Sequence, residues 1–280
     1  MATLTVPGAD LYYEATGSGP ALLLIAGGAD DGRDFGGVTE DLARHFTVVT
    51  YDTRGISRSR LHHPVDQVSI ETEVDDALRV LSQVTDAMAH VCGTSAGAQI
   101  ALALAARRPD RVASVIAHEP PAVLLLPVDD PRRDLLHRVV DAYREQGLHA
   151  AQQAFAVGAG LGGPARSDEP PFESEAGATA MQDKLTRMQG NFEFFIAHRM
   201  GPIGDYLPDL EALRNLHDRI AIGVGAASQR QLAHDTGLAL AAALDQQPVV
   251  FPGGHPGYAT HPQGFARALH HAVLSCSPTR

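Results

Sequence analysis

Apolar and polar residues alternate along this chain in two different rhythms. In the first stretch, short apolar runs of strand length are separated by turn-forming clusters. Thr3 to Val6 and Leu11 to Ala15 read as a hairpin around Pro7-Gly8-Ala9-Asp10. Ala21 to Ala26 is unbroken apolar sequence ending in Gly27-Gly28, the pattern of a strand buried on both faces. Phe46 to Tyr51 predicts the next strand, and Val74, Ala77, Leu78 and Leu81 recur at helical spacing within Glu71 to Val84. A short strand, His90-Val91-Cys92, then leads into an alanine-rich helix that ends before Pro109. Val112 to Ala117 predicts a further strand, closing at His118-Glu119-Pro120-Pro121.

From about Pro120 to Asp218 the period changes from two to 3.6. Leu135, Val139, Ala142 and Tyr143 share one helix face, and Met181, Leu185 and Met188 another, with a Gly- and Pro-rich loop from Gly158 to Pro171 between them. Strand character returns at Ile220 to Val224 and at Pro248 to Phe251, with a helix from Thr236 to Leu244 between them and a last helix over Phe265 to Leu274. Strands alternating with helices predict an α/β protein with a mostly parallel central sheet and helices on both faces. The expected division is a core over 1–119 and 219–280, interrupted by a helical cap over 120–218.

Composition adds bounds. A chain of 280 residues with 44% hydrophobic side chains can bury one sizeable core plus an inserted lobe. A formal charge of -11 argues against nucleic acid or an anionic membrane surface as partner. The two cysteines, Cys92 and Cys276, have neither a disulfide-framework nor a metal-ligand spacing. Met1 to Val6 lacks a basic stretch followed by an apolar run, and no segment has the length of a membrane span, so a cytoplasmic location is expected. Schiff-base chemistry would have to use Lys184, the one lysine, which lies in a helix expected to be exposed.

The chemistry concentrates at Gly93-Thr94-Ser95-Ala96-Gly97. A G-x-S-x-G between a strand and a helix is the setting of a nucleophile elbow, where the turn is so tight that its flanks must be small. A serine hydroxyl needs a base, and His255 in Phe251-Pro252-Gly253-Gly254-His255 lies just beyond the last strand on a glycine turn that can aim it at Ser95. His62, His63, His137, His149, His217 and His234 read as surface residues, and His270 and His271 as part of the last helix. Backbone amides would serve a developing oxyanion: Ala96 directly after the serine, and Gly28 after the third strand, with Ala29 next. Phe192, Phe194, Phe195, Ile196 and Met200 offer more apolar surface than one helix face can bury; core packing accounts for some, and Phe192, Phe194, Phe195 and Met200 are the candidates for a pocket over Ser95. Arg54, Arg58 and Arg60 are candidates for an anionic substrate, against the ordinary reading of solvated arginines.

Taken with Tyr51-Asp52-Thr53-Arg54-Gly55-Ile56-Ser57-Arg58-Ser59, Pro208-Asp209-Leu210 and His261-Pro262, these segments resemble the α/β-hydrolase fold superfamily over nearly the whole chain. The resemblance implies a Ser-His-acid triad but departs from the common pattern at two places. Ala26-Gly27-Gly28 has no histidine before the oxyanion glycine, and Gly225-Ala226-Ala227-Ser228-Gln229 has no carboxylate where the acid commonly stands. Some members carry the acid one core strand earlier, which points to Glu119. The alternatives are a Ser-His dyad, a displaced acid, or Asp52, which otherwise fastens the loop Thr53 to Ser59. Dehalogenases and epoxide hydrolases of this fold need an aspartate nucleophile, and the serine excludes them. The expected activity is a serine hydrolase acting through an acyl-enzyme on an ester or lactone of a fairly apolar small molecule, with no metal or organic cofactor. Two rivals stand beside it: a biosynthetic tailoring enzyme using His255 as general base for cyclisation, elimination or carbon-carbon bond chemistry, and a ligand-binding receptor without useful turnover.

Overall fold

The computed structural model describes residues 1–161 and 170–276. Most of the Gly- and Pro-rich loop expected from Gly158 to Pro171 lies outside these residues. The strands are β1 (Ala2–Val6), β2 (Ala9–Thr16), β3 (Ala21–Ile25), β4 (Thr47–Tyr51), β5 (Arg60–Leu61), β6 (Ala89–Thr94), β7 (Val112–His118), β8 (Ile220–Gly225) and β9 (Val249–Phe251). They form one sheet in the order β1-β2-β4-β3-β6-β7-β8-β9, with β5 paired to β2. The β1–β2, β2–β4 and β2–β5 pairs are antiparallel, and every pair from β4 to β9 is parallel. Gly8, at φ +83°, turns the β1–β2 hairpin in a region open to glycine at no steric cost.

Why the inner strands read as unbroken apolar runs is visible in their two faces. Leu23, Ile25 and Val49 pack into one core cluster, while Leu22, Leu24 and Val48 pack into another on the opposite face. The helices are α1 (Gly36–Leu42), α2 (Ile70–Leu81), α3 (Ala96–Arg107), α4 (Leu135–Gln146), α5 (Leu148–Gly158), α6 (Glu175–Phe194), α7 (Met200–Asp205), α8 (Leu210–Arg214), α9 (Leu232–Ala243), α10 (Gly257–Thr260) and α11 (Pro262–Ser275). The first face is covered by α2, α3 and α9, the second by α1 and α11. Ser69 caps α2 by accepting from the amide of Thr72 at 3.2 Å, and Glu71 and Glu73 in its first turn complement the helix dipole. Pro262 opens α11, where its missing N–H costs nothing.

The chain leaves the sheet after β7 and returns at β8, and those two strands are neighbours, with Val115 opposite Ile220. The excursion between them carries α4 to α8 and a single π-helical turn, Phe195–Arg199.

Two expectations about the core charges are revised. Arg54 does not face a substrate: it is buried and forked onto Asp76, with Nε and Nη2 each donating at 2.7 Å. Arg58 is forked onto fully buried Asp52 and lies 3.8 Å from the Tyr12 ring centroid, while Arg60 is exposed at the short edge strand. Asp52 also accepts from the amides of Gly32 at 2.9 Å and Arg58 at 3.0 Å, so it fastens the loops that leave β3 and β4.

Arg54→Met leaves the buried Asp76 carboxylate with only the half-exposed Arg79 guanidinium at 3.9 Å, and is expected to lower the unfolding free energy by about 3 kcal/mol. The double variant Arg54→Met/Asp76→Leu should recover much of that loss. Urea midpoints measure both, and unchanged midpoints for the single variant would show that the pair contributes nothing.

Candidate active site

The elbow is built by close backbone packing. Ser95 sits between β6 and α3 at φ 54° and ψ -124°, a strained conformation for a residue with a side chain. A methyl group on Gly93 would collide with the carbonyl of Gly97, and one on Gly97 with the carbonyls of Ile25 and Ala26. Glycine at both flanks is therefore a packing requirement, and the strain is held by β6 hydrogen-bonded between β3 and β7. The Ser95 amide donates to the His118 carbonyl at 2.9 Å.

Glu119 follows β7 directly, also at positive φ (49°), and is fully buried. Its Oε2 accepts from His255 Nδ1 at 2.7 Å. Its Oε1 accepts from the Gly225 amide at 2.8 Å and from the Ser228 hydroxyl, and His234 Nδ1 lies 3.5 Å away. Burial opposes the charge on this carboxyl, but the hydrogen bonds from His234 and His255 and the nearby imidazoles outweigh it and hold the pKa well below the usual carboxylate range. His234 is correspondingly raised by its hydrogen bond to Glu119, against the opposing effect of burial. His234 was expected on the surface and is buried instead, on the inward face of α9. Ser228 and His234 were both missed; a serine and a histidine around the vacant acid position were the available signal.

Ser95 and His255 line one cavity of about 350 Å³ together with Gly28, Ala29, Asp30, Lys184 and Tyr258. Leu136, Phe155, Met181, Leu185, Met188, Phe192 and Phe195 make the remainder of the wall mostly apolar. Of the expected pocket residues, Phe192 and Phe195 face this space. Phe194 and Met200 do not: the Phe194 ring fills the space beside Gly55 and packs on His198, and Met200 is fully buried in the apolar cluster. Phe194 and Phe195 are consecutive helical residues, and their side chains therefore leave the helix in directions about 100° apart.

The π turn ends in Arg199, which meets the loop after β3. Arg199 Nη1 donates to the Gly28 carbonyl, its Nε donates to Glu73 Oε1 at 2.5 Å, and the side chain is fully buried. The Phe195 ring occupies the place a Gly28 side chain would need. The Arg199 guanidinium thus holds the Gly28–Ala29 peptide plane through its carbonyl, and the Phe195 ring packs against Gly28. Ala96 opens α3, where the first-turn amides have no acceptor within the helix. Sequence reasoning missed Arg199, although an arginine inside the run Phe194-Phe195-Ile196-Ala197-His198-Arg199-Met200 is itself a signal of a buried partner.

Lys184 overturns its expectation as well. It is 4% exposed and pairs with Asp30 and Asp34. Asp235 lies on α9 and pairs with Arg132, away from His255. Among the described residues no group of three or more His, Cys, Asp or Glu side chains is placed to hold a metal ion, and no helix is long and apolar enough to cross a membrane.

A sequence model of the alpha/beta hydrolase fold matches residues 20–155. A protein of Bacillus subtilis (strain 168) named as the uncharacterized hydrolase YraK is 33% identical over 274 residues, covering 96% of this chain and 94% of that one. This chain belongs to the α/β-hydrolase fold family. Its likeness to a hydrolase along almost its full length supports an enzyme of hydrolase type. A zearalenone hydrolase of Bionectria ochroleuca is 33% identical over 127 residues, 44% of this chain and 48% of that one. The solved enol-lactonase of Burkholderia xenovorans LB400 superposes with a TM-score of 0.64 at 21% identity, covering 98% of this chain and 100% of the other, which is a likeness of fold.

Directly behind His255 is His118, fully buried, with neither ring nitrogen hydrogen-bonded among the described residues. Its ring meets Phe251 and Phe265 edge-on, and burial depresses its pKa to about 4 in spite of Glu119. Between its unfolded value of 6.5 and 4 the unfolded chain takes up a proton that the folded ring refuses, so stability falls as pH falls through that window. The expected loss is about 3 kcal/mol. Urea unfolding of wild type and His118→Phe at pH 7 and pH 4.5 isolates the effect, because a packing cost independent of pH cancels. An equally steep decline in the variant would show that His118 is not its source.

Proposed function

We propose that this protein is a serine hydrolase that cleaves an ester or lactone of a fairly apolar small molecule through an acyl-enzyme. The observation that carries the reading is that Ser95 and His255 line one cavity while His255 Nδ1 is hydrogen-bonded to Glu119. Ser95 Oγ adds to the acyl carbon and His255 Nε2 takes its proton. Glu119 Oε2 holds Nδ1–H, which fixes the tautomer and steadies the imidazolium. The amides of Gly28 and Ala96 receive the charge on the acyl oxygen. Collapse expels the alcohol, protonated from His255, and water repeats the sequence to free the acid. The relatives' names are consistent with this chemistry, including that of the enol-lactonase. A carboxylate on His255 supports the hydrolytic triad, and nothing specific favours the tailoring-enzyme alternative. The receptor alternative has no specific observation in its favour.

Ser95→Ala is expected to abolish both labelling by an active-site serine phosphonate and turnover of an ester and lactone panel, with the fold intact by circular dichroism. Undiminished turnover by a folded variant would end the nucleophile assignment and return weight to general-base chemistry.

Glu119→Gln is expected to keep labelling at a reduced rate but to lower kcat severely. Removing the orienting carboxylate of a triad costs up to ~10⁴-fold. Asp52→Asn, the control, acts on stability through the loops it fastens. Loss of kcat with Asp52→Asn but not with Glu119→Gln would make Asp52 the acid.

A further inference from the structure

Among the described residues, and apart from His255, the cavity wall has one charged feature. Lys184 Nζ donates to Asp30 Oδ1 and, at 3.4 Å, to Asp34 Oδ2, and it lies 5.3 Å from the centroid of the Tyr258 ring. The Tyr258 hydroxyl donates to Asp30 Oδ2 at 2.5 Å. Asp34 is further held by Arg187, one turn along α6. Lys184, Asp30 and Tyr258 are all part of the cavity wall. The group is next to the nucleophile: the position a Gly27 side chain would take is 3.1 Å from Asp30 Oδ2 and 3.1 Å from Ser95 Cβ, so those two atoms are separated by no more than twice that distance.

A clasp between α6 and the core would work equally well behind the wall, yet this pair forms part of the wall. An ammonium has three donors, of which Asp30 and Asp34 take two, and each carboxylate oxygen has two lone pairs. The pair can therefore offer a bound molecule one more donor and one more acceptor. An anionic group is disfavoured, because it would meet two carboxylates beside an already compensated lysine. A hydroxyl, which accepts and donates at once, fits both.

Building on the serine-hydrolase reading, we propose that Lys184 is a specificity-determining residue: with Asp30 it recognises a hydroxyl placed no more than three bonds from the scissile carbonyl carbon of an otherwise apolar ester or lactone. Lys184 donates to the hydroxyl oxygen, and the hydroxyl donates to Asp30. The apolar wall of Phe155, Met181, Leu185, Met188 and Phe192 takes the rest of the skeleton.

The test compares phenyl 3-hydroxybutanoate with phenyl 3-methylbutanoate, in which a methyl replaces the hydroxyl, each corrected for its rate of alkaline hydrolysis. Wild type should favour the hydroxy ester in kcat/KM by roughly tenfold or more, the range for a hydrogen bond to a charged group. In Lys184→Met the ratio should fall to about one, whatever happens to the absolute rates. No preference in wild type, or an unchanged ratio in Lys184→Met, would overturn the proposal. Should Lys184→Met not fold, phosphonates carrying the same hydroxyl and methyl groups decide it on the wild-type enzyme, since equal inactivation rates would also overturn it. Absent turnover of both esters together with a phosphonate-resistant Ser95 would instead mean that the serine-hydrolase reading has failed.

Discussion

A carboxylate taken out of water must have its oxygens satisfied, and the arrangement at the carboxyl ends of the strands follows from how Glu119 meets that demand. One oxygen binds the end of β8 through the Gly225 amide and the following turn through Ser228; the other binds the imidazole that follows β9. Three consecutive strand ends are thereby gathered around a single anion placed directly after β7. The positive φ of Glu119 is the local cost, and the hydrogen bond from its own amide to the Gly223 carbonyl, at 2.9 Å, helps to offset it.

The segment between β7 and β8 is joined to the sheet by polar groups as well as by the apolar cluster it shares with the strands. Along α6, Lys184, Arg187 and Asn191 recur at helical spacing and meet the loops after β3 and β4: Asn191 Nδ2 donates to the Ala29 carbonyl and to Ser57 Oγ, each at 3.0 Å. Arg199 adds Glu73 and the Gly28 carbonyl. Such contacts are directional where apolar packing is not, so they fix the position of α6 relative to the elbow and keep the wall carried by α6 in register with the strand ends below it.

The parallel strands and the elbow were legible because their signals are local: unbroken apolar runs, and glycines at both flanks of Ser95. Element ends were less so. The helix expected over Glu71 to Val84 spans Ile70–Leu81, and α9 begins at Leu232, four residues before the expected Thr236. Helix α1 was not anticipated, since it opens with Gly36-Gly37, a pair that reads as a turn. Of the candidate site, Ser95 and His255 could be nominated from strand-end positions, and Glu119 through the resemblance to members that carry the acid one core strand earlier. Lys184 and Asp30 could not, as they are 154 residues apart and a lone lysine on a polar helix reads as solvated. The assignments of Phe194 and Met200 to the pocket rested on a count of apolar residues, which does not say which of them are taken up by packing beside Gly55 or in the interior.

The burial of Lys184 also determines what the outside of the molecule is made of. It is the one lysine in the sequence, so every other permanently cationic side chain is a guanidinium, weakly hydrated, planar and unreactive toward acylating agents. Acetylation, glycation and amine cross-linkers, which decorate most proteins at many places, find no lysine on the outer surface of this chain. A reagent that modified a lysine here would have had to enter the cavity to do so.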